Sequence, residues 1–356
     1  MTDQQTILTT EAIALLKELI SIPSFSREEA QTAGAISRYL AQKGVASTRV
    51  GNNVFAKNFH YDESKPTLLL NSHHDTVKPN AQYTRDPFTP QEENGRLYGL
   101  GSNDAGAPLV SLLASFLFYH DREGLRYNVV LAATAEEEIS GTGGIESILP
   151  YLPPIEFAIV GEPTKMELAI AERGLLVLDC VAAGRAGHAA REEGDNAIYT
   201  AMNDIDWIRT FRFPKVSEVL GPVKMSVTVI DTANKAHNQV PDSCRFTVDA
   251  RVNEHYTLEE VLQTIRANLK STVTERSLRM RSSSIPLDHP LVRAGLALGR
   301  PYYGSPTTSD KALMPFPALK MGPGDSARSH SADEYIFIRE IEEGIDLYIQ
   351  LLNQLV

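Results

Sequence analysis

The sequence predicts an α/β fold, with helices on both faces of a mixed central sheet and an α+β unit inserted in its second half. Three observations carry this. Short apolar runs at residues 67–70, 129–133 and 157–160 alternate with helix-like stretches, as in a layered α/β domain. From about residue 172 to 284 the order becomes strand, helix, strand, strand, helix, strand, the signature of a ferredoxin-like unit. After residue 285 the α/β texture returns. Ile338, Ile341, Ile345, Tyr348, Ile349 and Leu352 form one face of a terminal helix that needs a sheet to cover. The expected organisation is a first domain of residues 1–171 and 285–356, interrupted by a second of residues 172–284.

Each element has a local reason. Residues 11–20 place Ile13, Leu15, Leu16, Leu19 and Ile20 at amphipathic-helix spacing, and Pro23 stops that helix. Ser26 and Glu29 form a capping-box pattern for a second helix reaching about Lys43, with Gly44 as C-cap. Residues 47–57 alternate loosely around Gly51-Asn52-Asn53 and read as a hairpin. Residues 78–101, rich in Pro, Asn and Gly, read as loops and short strands. The run from Pro108 to about Tyr119 is apolar and helical, with proline in its first turn. Gly141, Gly143 and Gly144 open a helix that ends before Pro153. In the inserted unit, strands are expected at residues 175–181, 223–229, 243–252 and 278–282, and helices at 195–211 and 257–269. The second helix opens on a Thr257/Glu260 capping box.

Composition narrows the function classes. At 356 residues, 42% hydrophobic and 22% charged, the chain is an ordinary globular sequence with room for two domains. A net charge of −11 argues against nucleic acid or an anionic membrane surface as the main partner. Cys180 and Cys244 belong to no C-x-x-C pair and read as small buried residues. The first ten residues are polar, with no apolar signal core, and no apolar run approaches the roughly 18 residues of a membrane span, so a cytoplasmic location is expected.

The chemistry gathers where apolar runs end. The strand at residues 129–133 runs into Thr134-Ala135-Glu136-Glu137-Glu138. Three crowded carboxylates raise one another's pKa unless a cation holds them. His73-x-Asp75, Asp104 and Glu162 stand at the ends of other apolar elements, and His330 follows the glycine-rich Gly322-Pro323-Gly324. Imidazole with carboxylate suits Zn²⁺, Mn²⁺ or Co²⁺. The inventory exceeds one ion's needs and fits a pair of metals bridged by a carboxylate, roughly 3.5–4 Å apart. Such a pair activates water and polarises a carbonyl, and a further carboxylate is needed to carry the proton.

In this order, His-x-Asp, Asp, Glu-Glu, Gly-Glu-Pro and a C-terminal His, the chain resembles the co-catalytic zinc amidohydrolases. That family includes acetylornithine deacetylase, succinyl-diaminopimelate desuccinylase, aminoacylase and carboxypeptidase G. The resemblance covers nearly the whole chain, the insertion included, and implies a role for each motif residue. His73 and Glu162 would hold one metal, His330 and Glu138 the other, and Asp104 would bridge them. Glu137 would be the general base, and Asp75 would support His73 from behind. Glu136 would have a surface or supporting role. The insertion would be a lid and dimerisation domain. Its Gly184-Arg185-Ala186-Gly187-His188 motif would bring His188 to a neighbouring subunit's site as an oxyanion donor. Asn238, in Asn238-Gln239-Val240-Pro241, and Arg251, in Asp249-x-Arg251, would bind substrate, the guanidinium through a carboxylate. One departure stands out: many relatives follow the bridging Asp with a lysine and glycines, and here it is followed by Ala105-Gly106-Ala107-Pro108.

The implied function is metal-dependent hydrolysis of a small N-acyl amino acid by a cytoplasmic homodimer holding two Zn²⁺ per subunit, with Co²⁺ or Mn²⁺ as alternatives. The nearest pattern is the acetylornithine deacetylase branch, which implies arginine or lysine biosynthesis. A desuccinylase, a dipeptidase or a carboxypeptidase of the same family would share the mechanism. Specificity would lie in the insertion and in residues 305–310.

Overall fold

A computed structural model describes residues 2–191 and 193–356. Its compact units are Met1–Ile170 with Ser284–Tyr303 and Ser309–Val356, and Ala171–Ser283 with Gly304–Thr308. The expected division has no place for the short 304–308 strip in the second unit. It goes there because it brackets Arg173: Ser305 accepts from the Arg173 N–H (3.3 Å), and the Thr308 hydroxyl donates to the Arg173 carbonyl (2.9 Å).

The first unit opens with helices α1 (Asp3–Ile20) and α2 (Ala30–Gln42). Strands β1 (Ser47–Val50) and β2 (Asn53–Lys57) form the expected hairpin, followed by β3 (Thr67–His73). β4 (Gln91–Glu93) and β5 (Arg96–Tyr98) pair in a small separate sheet. Helix α3 (Ala107–His120) has Pro108 in its first turn, and β6 (Asn128–Thr134), α4 (Ile145–Ile148), β7 (Phe157–Val160) and β8 (Leu168–Glu172) follow.

The second unit is built from β9 (Gly174–Ala183), β10 (Gly187–His188), α5 (Ala197–Thr210), β11 (Lys224–Asp231), β12 (Gln239–Val240), β13 (Ser243–Val252), α6 (Leu258–Asn268) and β14 (Thr272–Glu275). Its main sheet runs β11-β13-β9-β14, all antiparallel, as a ferredoxin-like unit requires. The last strand lies earlier than the expected 278–282, because Val273 is the residue that reaches the core. Strict alternation builds that core. Leu176, Leu178, Cys180 and Ala182 of β9 and Cys244, Phe246, Val248 and Ala250 of β13 point one way, onto Ala201, Ile208, Val261 and Ile265 of the two helices. The Thr257/Glu260 capping box forms in both directions (3.1 and 2.8 Å).

The chain then adds β15 (Ser283–Ser284), α7 (Pro290–Ala297), β16 (Tyr302–Ser305), β17 (Ala318–Lys320), β18 (Tyr335–Phe337) and α8 (Ile338–Leu352). The large sheet has the order β1-β2-β6-β3-β7-β17-β8-β15. Its middle strands β6, β3, β7 and β17 are mutually parallel, and their carboxyl ends therefore face one crevice. On one face Leu69, Val130, Ala132, Ala158 and Val160 pack against Ile145 and Ile148 of α4. Helix α3 packs on β3 and β6 and also touches α1 and α8.

The Ser26/Glu29 capping box does not form. Glu29 sits at the N-cap of α2 without a side-chain cap bond. Its carboxylate is fully buried and accepts instead from the backbone of Arg27 (2.6 Å) and Glu136 (3.2 Å) and from the Asn52 amide (2.8 Å). The Ser26 hydroxyl donates to Asp75 (2.7 Å).

Candidate metal centre

Strand ends, one turn and one loop bring the predicted metal-site residues of the first unit together. His73 is the last residue of β3, paired in register with Thr134 at the end of β6. The acidic triplet follows Thr134 directly, and Glu162 lies two residues beyond β7. Asp104 belongs to an irregular π-type turn over Ser102–Gly106, entered by Gly101 at φ 75°, and the peptide after it is cis. A side chain at Gly101 would add backbone strain and meet the Thr76 methyl at 2.6 Å.

The geometry sorts these groups around Asp104. Its Oδ1 lies 3.3 Å from His73 Nε2 and its Oδ2 3.8 Å from His330 Nε2, so the two oxygens of one carboxylate face two imidazoles. Glu162 approaches His73 at 3.8 Å, and Glu138 approaches His330 at 3.0 Å. Candidate donor atoms of His73, Asp104 and Glu138 lie within 4.8 Å of one another, and so do those of His73, Glu137 and Glu162. Glu137 and Glu162 come equally near His73, both at 3.8 Å. Distance therefore does not assign their roles. Burial pushes Glu137 well above the usual carboxylate range, against the His73 charge and together with the charges of Glu162, Glu138 and Asp310.

The other groups respond as a crowded anionic site should. Burial works against a charged His73, yet its bonds to Asp104 and Asp75 win, and it is raised well above the ordinary imidazole value. Asp104 is lowered: His73 and His330 outweigh the cost of its burial. His330 is pushed up to about 9, first by its bond to Glu138. Glu138 is itself raised, because burial outweighs that same bond. Two imidazoles thus serve an excess of carboxylates, and the surplus negative charge in an N/O donor set is what a divalent cation pair offsets.

Asp75 does more than expected. It is fully buried, and the His73 Nδ1 lies 3.0 Å from its backbone carbonyl and 3.4 Å from its carboxylate. With Nδ1–H engaged there, Nε2 is left facing the site. The Asp75 carboxylate also accepts from the N–H of Glu137 (3.0 Å) and of Glu138 (3.2 Å). The backbone of the acidic triplet is thus gripped by Asp75 and Glu29, both buried carboxylates. The Glu136 side chain turns away to the glycine turn, where Gly143 N–H donates to it (3.3 Å) and Gly141 leaves room for it.

Two buried acids were not anticipated from sequence. Asp310 accepts from Thr134 (2.7 Å), and burial raises it to about 6. Glu334 is buried, and burial with the nearby Asp104 charge pushes it up to about 8. Neither follows a long apolar run. Their one sequence signal is nearness to polar motifs, Thr307-Thr308-Ser309 and Ser329-His330-Ser331.

The remaining predicted residues belong to the second unit. His188 is exposed on β10, opposite Gln239 of β12, and its Nδ1 accepts from Ala190 N–H (3.2 Å). Asn238 is exposed, and its carbonyl accepts from Ala189 (2.9 Å). Arg251 lies on β13, partly exposed. Its Nε and one terminal nitrogen bind Asp249, two residues away on the same strand, at 2.8 and 3.0 Å. A two-pronged partner for the guanidinium is already supplied within the chain.

Comparison with known proteins agrees with the layout. A model of the peptidase family M20/M25/M40 matches residues 69–354. A succinyl-diaminopimelate desuccinylase from Wolbachia pipientis is 27% identical over 289 residues, covering 77% of this chain and 72% of that one. Aminopeptidase PepT from Bacillus cereus superposes with a TM-score of 0.77 at 16% identity, over 98% of both chains. A dinuclear metal-binding M20 peptidase from Bacillus subtilis does so at 0.72 and 14% identity, also over 98% of both. Five metal-suited side chains gathered at one site, inside a family match that spans most of the sequence, place this chain in the peptidase family M20/M25/M40 as a metal-dependent amidohydrolase.

Proposed function

We propose that the chain hydrolyses the amide bond of a small N-acyl amino acid, releasing a short carboxylic acid and a free amino acid, with two Zn²⁺ ions as cofactors. The observation that carries the reading is Asp104, whose two oxygens face His73 and His330, with Glu162 and Glu137 beside the first imidazole and Glu138 beside the second. His73, Glu162 and Asp104 would hold one ion, and His330, Glu138 and Asp104 the other. Bound there, the ions would supply Lewis acidity toward the amide carbonyl and lower the pKa of water. Glu137 acts as general base: its raised proton affinity suits a group that takes a proton from water and hands it to the leaving amine. Asp75 orients both His73 and the Glu137 backbone.

The relative named above is a succinyl-diaminopimelate desuccinylase, which favours an N-succinyl substrate and lysine biosynthesis over the acetylornithine branch suggested by the motifs alone. We further propose a homodimer in which His188 of a second copy donates to the oxyanion. Strand β11 supports this. It is an edge strand, and its Val229 and Ile230 are each 55% exposed, as are large parts of Tyr199 and Met202 on α5. An exposed apolar edge of this kind invites pairing with another chain.

The test is a panel of N-succinyl and N-acetyl derivatives of diaminopimelate, ornithine, citrulline and lysine, with dipeptides alongside, scored for released amine. Activity should vanish on chelation and return with Zn²⁺ or Co²⁺. Release from dipeptides alone would make the enzyme a peptidase, and activity indifferent to chelation would sink the metal reading.

A further inference from the structure

Glu334 ties together the two least regular segments of the centre. It is buried, four residues after His330. One carboxylate oxygen accepts from the backbone N–H of Asn103 (2.8 Å) and of Asp104 (2.9 Å), and the other from Gly101 (3.1 Å). Its own carbonyl accepts from Gly99 (3.0 Å). These N–H groups line the turn that presents Asp104, so a carboxylate rooted in the His330 segment satisfies the backbone of the Asp104 segment. Asn103 reinforces the link with a two-way bond to the backbone of Asp325, at 3.0 and 3.1 Å. Gly324, at φ 94°, makes room, since a side chain there would meet the Asn103 amide oxygen at 2.6 Å.

The two imidazoles are held differently. His73 is buried at the end of a strand paired on both sides, with Asp75 at its back. His330 has φ 58°, is 53% exposed and belongs to no helix or strand. In place of a strand ladder, the His330 segment is held by side-chain bonds: Glu334 to the Asp104 turn, Asn103 to Asp325 and Ser329, and Asn80 to the His330 carbonyl.

We propose that Glu334 is a positioning residue that sets the distance between Asp104 and His330, and so governs the metal position formed by Asp104, Glu138 and His330 while leaving the His73/Glu162 position largely intact. This rests on the two-metal reading above. A general role in folding would weaken both positions alike, and the asymmetry separates the two ideas.

The test is Zn²⁺ uptake by the full chain, measured by equilibrium dialysis and chelator competition, for wild type, Glu334→Ala and Glu334→Gln, with a urea unfolding curve for each. Wild type should bind two ions. Glu334→Ala should keep one near wild-type affinity and bind the second about 10–100-fold more weakly, the range typical of lost ligand support. Glu334→Gln should fall between, because its amide oxygen can serve Asn103 and Asp104 while its NH₂ faces the Gly101 N–H. If the alanine variant does not fold, the glutamine variant decides: selective weakening of one ion supports the assignment, and unchanged uptake overturns it. A folded Glu334→Ala that binds both ions as wild type does, or loses both equally, also overturns it. A wild type that binds fewer than two ions overturns the two-metal reading and this assignment with it.

Discussion

Asp75→Asn perturbs the site without touching an expected ligand. The wild-type carboxylate takes four hydrogen-bond or ion-pair partners: Ser26 Oγ and Glu138 N–H on one oxygen, Glu137 N–H and His73 Nδ1 on the other. The asparagine oxygen can keep only one pair. If it stays with Ser26 and Glu138, its NH₂ turns toward the Glu137 N–H and the His73 ring, donor against donor. One buried backbone N–H then lacks an acceptor, at about 1–3 kcal/mol, and the remaining bonds lose charge assistance, about 1 kcal/mol more. The expected loss is about 2–4 kcal/mol, which a domain with a typical stability of about 5–15 kcal/mol survives. The readout is urea unfolding of the metal-free protein, with zinc affinity and steady-state kinetics on the folded variant. Zinc affinity should fall about 10–100-fold. The turnover number should fall more than the Michaelis constant changes, because the residue beside the lost bond is the proposed base. Ser26→Ala, which removes one bond to the same carboxylate, should cost only about 1 kcal/mol. An Asp75→Asn protein within about 0.5 kcal/mol of wild type, with unaltered zinc binding, would refute the reasoning.

Three other outcomes are expected. Glu137→Gln should abolish turnover while zinc stoichiometry stays at the wild-type value; a lost ion would make Glu137 a ligand. His289 caps α7 by accepting from Leu291 N–H (3.2 Å), which needs a neutral ring, and burial lowers its pKa below 6.5. With the folded pKa depressed, its contribution is complete above about pH 6.5 and is lost as pH falls through the folded value. His289→Asn keeps a cap acceptor and should flatten the fall in unfolding free energy between about pH 7 and 5; an unchanged slope would remove His289 from the account. Val229→Asp should convert a wild-type dimer to monomer in sedimentation velocity, and a wild type that sediments as a monomer would overturn the dimer proposal.

Much of this was legible in the sequence, for a physical reason. Strand ends announce themselves, because an apolar run that stops at a polar residue is both a local pattern and a placement in space. His73, the acidic triplet and Glu162 were found that way. The supports were harder to see. Glu29 carries a capping-box pattern, but the N–H of a loop more than a hundred residues away offers a buried partner, and tertiary bonding overrides the local motif. Glu334 and Asp310 serve backbone N–H groups and scattered polar side chains, which leave no periodicity to read. For Arg251 the structure adds a partner close in the chain. A guanidinium two residues from an aspartate on one strand face has a partner at hand, and the pairing with Asp249 is the shorter route to a satisfied charge.

The neighbouring parallel strands β6, β3 and β7 act as a ruler for the site. Hydrogen-bonded strands lie about 4.8 Å apart. His73 closes β3 in register with Thr134 at the end of β6, and β7 pairs with β3 on its other side, so the side chains leaving these ends start about one strand spacing apart. On that side the gauge is cut into the backbone ladder before any cation arrives. The metal then enters a seat already measured, and its arrival should slow amide exchange in the 99–104 and 325–334 segments far more than in β3 or β6. Drift is confined to the side the ruler does not reach, where His330 depends on a borrowed carboxylate for its place.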